Sequence, residues 1–374
     1  MSVAASAGVV LGLLAAANLG SLALAGWRLR RRVRLPVLHR EPVSIVRPVC
    51  GVEEFSEETL GSAFRLEHPD YEILFCVQRE DDPVIPLVRR LIAENPGVEA
   101  RLLVGDDRIS GNPKLNNCVK GWEAARHEWV VLADSNVLMA PDYLEHLLSA
   151  WRADTGLICS TPLGSRAVGF PAEVECAFLN TLQARWQYAG EAMGLGFAQG
   201  KSMLWQRSFL NAHGGIRALG AEIAEDAAAT KLVRAAGRHV HLVASPFEQP
   251  LGGRTLRQVW DRQVRWARLR RVTFPLFFAP ELFIGAAVPM LLGMLAAPHP
   301  LAGALAVAVL WYGPEFWLAR AKGWPLTLAS LPAMVVRDAM VPLVWAAGWT
   351  TGRTVWRGNT VAFDGDVSRP VTEP

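Results

Sequence analysis

Charge is nearly balanced along the chain and absent from its start. The 374 residues carry 38 Lys and Arg against 35 Asp and Glu, a net charge of +3. So small an excess argues against nucleic acid as a partner. Cysteine is sparse too: Cys50, Cys76, Cys118, Cys159 and Cys176 make an odd set with no CxxC pair and no Cys/His cluster at zinc spacing. That argues against a disulfide framework or a zinc site and fits a reducing compartment. No internal repeat or low-complexity segment stands out. What the chain has in quantity is apolar surface: 51% of its residues are hydrophobic and 14 are Trp. This composition leans toward a membrane protein.

Residues 1–27 bear no charged side chain and are followed by Arg28-Leu29-Arg30-Arg31-Arg32-Val33-Arg34. The run is long enough to span a bilayer. A cleaved signal peptide is the alternative, since Ala23-Leu24-Ala25 resembles a cleavage site. A secretory signal carries its positive charge before the apolar run, however, and here the charge follows it. Positive flanks stay in the cytosol. The expectation is an uncleaved anchor over 1–27 with the residues after it cytosolic, the localisation of a multi-pass protein in a bacterial-type inner membrane.

Residues 42–250 read as a soluble α/β domain. Short apolar runs at 43–46, 72–77, 100–104 and 129–133 predict strands, and 54–66, 84–94 and 113–126 predict helices between them. That alternation predicts a mainly parallel, Rossmann-like sheet covered on both faces. Ligands in such sheets bind beyond the carboxyl ends of the strands. Past residue 250 the character changes. A basic, Trp-bearing stretch at 254–271 reads as an amphipathic interface helix. Apolar stretches at 272–297, 301–318 and 324–349 make a C-terminal membrane region to about 350, with a tail over 351–374. Two of them read as spans. The third holds Arg337-Asp338 near its middle, which implies either a satisfied ion pair inside the membrane or an interfacial position.

Two acidic turns follow predicted strands: Gln78-Arg79-Glu80-Asp81-Asp82-Pro83 and Asp134-Ser135-Asn136. Carboxylates are natural ligands for the divalent ion that neutralises a nucleotide diphosphate. Ordinary loop acids are the competing reading. Gly111-Asn112-Pro113-Lys114 leads into a helix whose N-terminus and Lys could attract phosphate, or which could simply be capped. Glu225-Asp226 heads a helix stopped by Gly237. Acids there either favour the helix dipole or supply a general base. Arg262-Gln263-Val264-Arg265-Trp266 closes the soluble part, as a headgroup anchor or as a group reaching the donor phosphates and the acceptor.

In this order the pieces resemble the family 2 glycosyltransferases, and most closely the ceramide glucosyltransferases. That pattern is three Asp motifs and then (Q/R)xxRW, matched here by Asp82, Asp134, Asp226 and Arg262-x-x-Arg265-Trp266. The words Cys76-Val77-Gln78, Asp81-Asp82-Pro83, Asn112-Pro113-Lys114 and Ala224-Glu225-Asp226 match as well. The resemblance implies a GT-A fold, a UDP-sugar donor, Mg²⁺ or Mn²⁺ as cofactor, and inversion at the anomeric carbon. It implies Asp226 as the base, Asp82 on the uridine, Asp134 on the metal, and Lys114 and Arg265 on the phosphates, with Arg262 and Trp266 completing the donor-binding set. Many relatives have Asp-x-Asp where this chain has Asp134-x-Asn136, so the metal expectation falls on Asp134. The implied acceptor is a membrane lipid, ceramide first and a hopanoid or other lipid second, with glucose as the first sugar. A polysaccharide synthase of the same fold, or a non-enzymatic membrane protein, are the competing classes. A synthase needs more spans than the three or four available, and filled acidic positions speak against decay.

Overall fold

The structure, a computed structural model, describes residues 2–30 and 40–350 and the backbone of two short strands, Arg353–Trp356 and Asn359–Ala362. Of the tail expected over 351–374, only that paired hairpin is described. The described chain divides into two compact units. One gathers residues 40–162 and 194–250; the other gathers 2–30, 163–193 and 251–350. Residues 163–193, read from the sequence as part of the 42–250 domain, therefore group with the apolar helices.

The first unit is built on a seven-stranded sheet. In chain order its strands are β1 (Val43–Val49), β2 (Tyr71–Val77), β3 (Glu99–Val104), β4 (Trp129–Ala133), β5 (Thr155–Cys159), β7 (Ser202–Gln206) and β8 (His239–Leu242). The two remaining strands, β6 (Pro162–Val168) and β9 (Phe247–Gly253), pair separately. The spatial order is β3-β2-β1-β4-β7-β5-β8. The pairs β1–β2, β2–β3, β1–β4 and β5–β8 are parallel, and β7 lies antiparallel between β4 and β5. This is the mainly parallel α/β sheet the sequence predicts, with one antiparallel intruder. The chain winds β1 to β3 on one side of β1 and then sets β4 on the other. Beside β1 and β4 is thus the topological switch point where such sheets take ligands.

Strands β1 and β4 are buried along their whole lengths. A sheet covered on both faces demands such continuous apolar runs. One face packs Ile45, Ile73, Phe75 and Val131 against Leu60, Val88, Tyr143 and Leu147. Each such buried side chain contributes about 1.5–3 kcal/mol. Over the strands lies the helix Pro113–Ala124, and Gly121 explains how closely. A Cβ there would stand 2.5 Å from Val46 Cγ1 and 2.6 Å from Cys76 Sγ. Glycine lets the helix seat on β1 and β2, which puts its N-terminus beyond their carboxyl ends.

The second unit is helical. Among the described residues three helices are long and apolar enough to cross a membrane: Val3–Arg28, Pro300–Ala321 and Ser330–Gly348. The stretch at 272–297, which the sequence shows as one apolar run, is instead a pair of helical pieces, Pro275–Phe283 and Ala287–Ala296, bent by 48°. The physical reason is at the break. Asp338 Oδ2 accepts the backbone N–H of Ala286 at 2.8 Å, and a Cβ on Gly285 would come within 2.9 Å of the same carboxylate. The carboxylate takes an amide that a continuous helix would bond internally.

Charges inside this unit are buried and paired. Arg337 Nε donates to Asp338 at 2.7 Å and its Nη2 to Glu315 at 3.0 Å, and Arg185 meets Glu315 at 2.9 Å. All four side chains are essentially inaccessible. Arg337 also reaches Ala177 O and Thr181 Oγ1 in the π-helical segment Ala177–Gln183. The Arg337-Asp338 pair is thus a satisfied ion pair within an apolar helix. Of the basic cluster after the first helix, Arg31, Arg32 and Arg34 lie outside the described residues. Arg28 is buried against Glu191 at 2.5 Å.

Candidate active site

Three of the four sequence-predicted residues of the first unit, Lys114, Asp134 and Asp226, come together beyond the strand ends, around the turn that follows β4. Asp134 stands immediately past Ala133. Its Oδ1 meets Lys114 Nζ at 2.6 Å and its Oδ2 meets Lys201 Nζ at 2.8 Å. The Lys114 ammonium also reaches Glu225 Oε1 at 2.7 Å and donates to the carbonyl of Gly200. Burial alone would raise the pKa of Asp134, but the two ammoniums outweigh it and hold the carboxyl well below the usual range. Burial likewise works to discharge Lys114, and the Asp134 and Glu225 carboxylates reverse this, raising its pKa.

The helix Pro113–Ala124 begins with Pro113 at a favoured position and is capped by Asn112, whose side chain accepts from Lys114 N and Leu115 N. Asn112 Nδ2 donates onward to Glu225 Oε2 at 2.6 Å. The helix start thus satisfies its own amides, and what it offers an anion is the Lys114 ammonium.

The helix Glu225–Ala235 begins without a side-chain cap. Asp226 is bonded by the Ala227 amide of its own first turn and also reaches out of the helix. Its Oδ2 accepts the N–H of Gly200 at 3.1 Å. Burial first, and the neighbouring Glu225 charge second, push its pKa up to about 6. Gly200 is enforced by crowding, since a Cβ would lie 2.5 Å from Glu225 Oε1 and 2.8 Å from Lys114 Nζ.

Asp82 lies past β2, on the other flank of β1. Its carboxylate accepts Gly51 N at 3.0 Å and Val84 N at 2.9 Å, tying the loop after β1 to the loop after β2. Arg262, Arg265 and Trp266 belong to the second unit, on the helix Leu256–Thr273. There Arg262 pairs with the buried Glu175 and stands 5.8 Å from the Trp266 ring. Trp266 packs on the small cluster of Cys176, Leu179 and Leu251.

Two members escaped the sequence reading. Lys201 is the turn residue immediately before the antiparallel strand β7, whose start, Ser202, pairs with Ala133, so no local pattern announces it. Arg47 sits inside an apolar strand, where it donates to four backbone carbonyls and approaches Met139 Sδ. Glu225 was read as a neighbour of Asp226, whereas its contacts join Asn112 to Lys114.

Among the described residues no group of three His, Cys, Asp or Glu side chains forms a ready-made metal cage. A divalent ion bound with a diphosphate needs only one or two protein carboxylates beside the phosphates. Asp134 Oδ2 and Asn136 Oδ1 converge on a single cationic point, which the Lys201 ammonium holds at 2.8 and 3.2 Å. Both are hard oxygen donors of the kind Mg²⁺ or Mn²⁺ prefers, and an ion bound by them would take the place of the Lys201 ammonium.

Residues 10–366 match the model of glycosyl transferase family 21. Ceramide glucosyltransferase 1 of Caenorhabditis elegans is 29% identical over 235 residues, 62% of this chain and 50% of that protein. Ceramide glucosyltransferase 3 of the same organism is 25% identical over 345 residues, 88% of this chain and 74% of that protein. The chain thus spans half the length of the first relative and three-quarters of the second. Among solved structures, a mannosyltransferase from Pyrobaculum calidifontis in complex with GDP-Man and Mn²⁺ is similar at 17% identity with a TM-score of 0.48, covering 90% of this chain and 99% of that one. By the match that runs over nearly its whole length, the chain belongs to glycosyl transferase family 21.

Proposed function

We propose that the protein is a membrane-embedded inverting glycosyltransferase that moves glucose from UDP-glucose to the hydroxyl of ceramide at the cytosolic membrane face. The observation that carries this reading is the pairing of two differently tuned carboxylates around Gly200 and Lys201: Asp134, held strongly acidic by two ammoniums, and Asp226, pushed up to about 6. Neighbouring groups pushed apart in pKa divide into an electrostatic role and a proton-transfer role.

Asp134 and Asn136 would hold the divalent ion, which supplies charge stabilisation for the diphosphate as it leaves. Asp82 faces the uridine end, at the joined loops after β1 and β2. Lys114 and Lys201 set positive charge where the leaving group gains negative charge. Asp226 is ionised at neutral pH and takes the proton from the acceptor hydroxyl as its oxygen bonds to the anomeric carbon and the bond to the diphosphate breaks. Attack from the face opposite the leaving group inverts the centre. For Arg262, Arg265 and Trp266 the support is the motif Arg262-x-x-Arg265-Trp266 itself, whose resemblance assigns them to the phosphates and the acceptor; Glu175 pairs with Arg262. Cytosolic placement is supported by the basic run at 28–34 after an uncharged span.

The acceptor and sugar are tested by lipid extracts of cells that make the protein, fed ceramide and analysed by mass spectrometry. A new monohexosyl ceramide is expected. Its absence, with a different glycolipid in its place, would move the acceptor to another lipid class.

A further inference from the structure

Strand β1 is buried at every position, and yet Arg47 is one of those positions, with no exposed surface at all. Its Nη2 donates to the carbonyl oxygens of Asp134, Ser135 and Val137, each at 3.1 Å. Its Nη1 donates to Thr59 O at 2.9 Å and approaches Met139 Sδ at 3.7 Å. Among the described residues it forms no ion pair. Burial lowers its pKa to about 10, so it remains charged at neutral pH.

A desolvated guanidinium without a carboxylate in direct contact is costly, and the nearby Asp134 charge offsets only part of the burial. What offsets the cost is specific. β1 and β4 pair in register from Val43 with Trp129 to Val46 with Leu132. One residue further along β1 the ladder with β4 is spent, and the chain after Ala133 turns away. The carbonyls of that turn have no strand partner, and buried carbonyls need one. Arg47 occupies the first position past the ladder and supplies donors to three carbonyls of the turn at once. The planar, multi-donor guanidinium can do this, whereas an ammonium has fewer donors and a shorter reach. The turn it grips carries Asp134 and Asn136, the two oxygens that converge on one cation.

We propose that Arg47 is a positioning residue: through the Asp134–Val137 backbone it fixes the Asp134 carboxylate and the Asn136 amide for the donor diphosphate and its cation. This rests on the reading that Asp134 works at the donor diphosphate. It adds a residue that touches no substrate, and it predicts a catalytic cost beyond lost stability.

The test compares Arg47→Met and Arg47→Lys with Glu72→Gln in the full-length, detergent-solubilised protein. Glu72 is buried at the opposite end of β1 and β2, where it binds Ser44 at 2.7 Å and Arg101 at 2.9 Å, so its variant unsettles the same strands away from the turn. Melting temperature, kcat, KM for UDP-glucose and calorimetric binding of UDP with Mn²⁺ are measured, all rates well below each variant's melting point. Arg47→Met should lose roughly 10- to 100-fold in turnover, the scale of an ångström-sized misplacement, and bind UDP with Mn²⁺ more weakly. Arg47→Lys should recover part of both, and Glu72→Gln should melt lower with turnover within about twofold of wild type. If Arg47→Met does not fold, Arg47→Lys decides alone, since normal turnover and binding in it overturn the proposal. Normal turnover in Arg47→Met, or an equal loss in Glu72→Gln, also overturns it. An Asp134→Ala control separates the layers: lost transfer there with normal Arg47 variants sinks only this proposal, whereas retained transfer sinks the donor-site reading and this proposal with it.

Discussion

The Asp226 carboxylate accepts the backbone N–H of Gly200 at 3.1 Å, across 26 residues of chain, and leaves its own helix without a side-chain cap. An Asp at a helix start ordinarily satisfies that helix. Here the carboxylate also reaches the segment that delivers Lys201 to Asp134, so it is tied both to its own first turn and to the site.

The first consequence is a pH dependence. A base must be ionised, and burial with the Glu225 charge sets the Asp226 pKa at about 6. Turnover should be flat at neutral pH and fall with one proton's slope as the pH drops below about 6. Rates of UDP-glucose turnover between pH 5 and pH 8 at saturating donor measure this, and a flat profile through that range would contradict it. The stability sign is opposite to that of a salt-bridged acid. The folded pKa lies above the ordinary value of 3.8, so the folded state binds the proton more tightly than the unfolded chain. The ionised group then opposes folding above pH 6 and ceases to do so as the pH falls. Asp226→Asn should accordingly melt no lower than wild type at pH 7.5.

Gly200→Ala separates geometry from stability. The added Cβ meets Glu225 Oε1 and Lys114 Nζ, which are ends of flexible side chains able to move aside. The fold should tolerate this and the cluster should not. The melting temperature should shift by only a few degrees, while turnover falls by roughly tenfold or more, as for a small misplacement of charged groups. A variant with wild-type turnover would show that the Lys114–Glu225 contact has no part in the reaction.

Chelation tests the cation. With Asp134 and Asn136 converging on one cationic point, excess EDTA should abolish transfer, and Mn²⁺ or Mg²⁺ should restore it. Asp134→Ala should not be rescued by raising the donor concentration. Full activity in EDTA would remove the metal from the account.

In the helical unit, Glu315 lies between Arg185 and Arg337 at 2.9 and 3.0 Å. Glu315→Ala leaves two buried guanidiniums facing each other, a change worth about 3–5 kcal/mol when a buried pair is broken. A large drop in melting temperature in detergent is expected, with double replacement of Glu315 and Arg185 by apolar residues recovering part of it. A Glu315→Ala protein as stable as wild type would show the cluster carries no structural weight.

How much of this the sequence discloses follows from where each signal lies. Strand β4 occupies 129–133 as read from its apolar run, and Asp134 and Asp226 stand where strand-end and helix-start chemistry puts them. These signals are local. Lys201 has no such signal, because its pairing with Asp134 depends on the antiparallel insertion of β7 between β4 and β5. Arg47 is hidden for a different reason: apart from Met139 Sδ its partners are backbone carbonyls, which carry no residue identity. The break in the 272–297 stretch is set from 52 residues away, by Asp338 on Ala286, and apolar run length alone cannot show it. Asp82 was legible as a strand-end acid, but its bonds to Gly51 and Val84 depend on the loops meeting in space.

The most direct test is Asp226→Asn, measured for kcat, for donor binding and for melting. Asn keeps the size of the side chain and an oxygen for the Gly200 amide, but it cannot take a proton. The account predicts a loss of about 10²–10⁴-fold in kcat, with KM for UDP-glucose little changed and melting no lower than wild type. Near-normal turnover in a folded Asp226→Asn protein would contradict it, and Asp226 would then be a structural acid at the head of its helix.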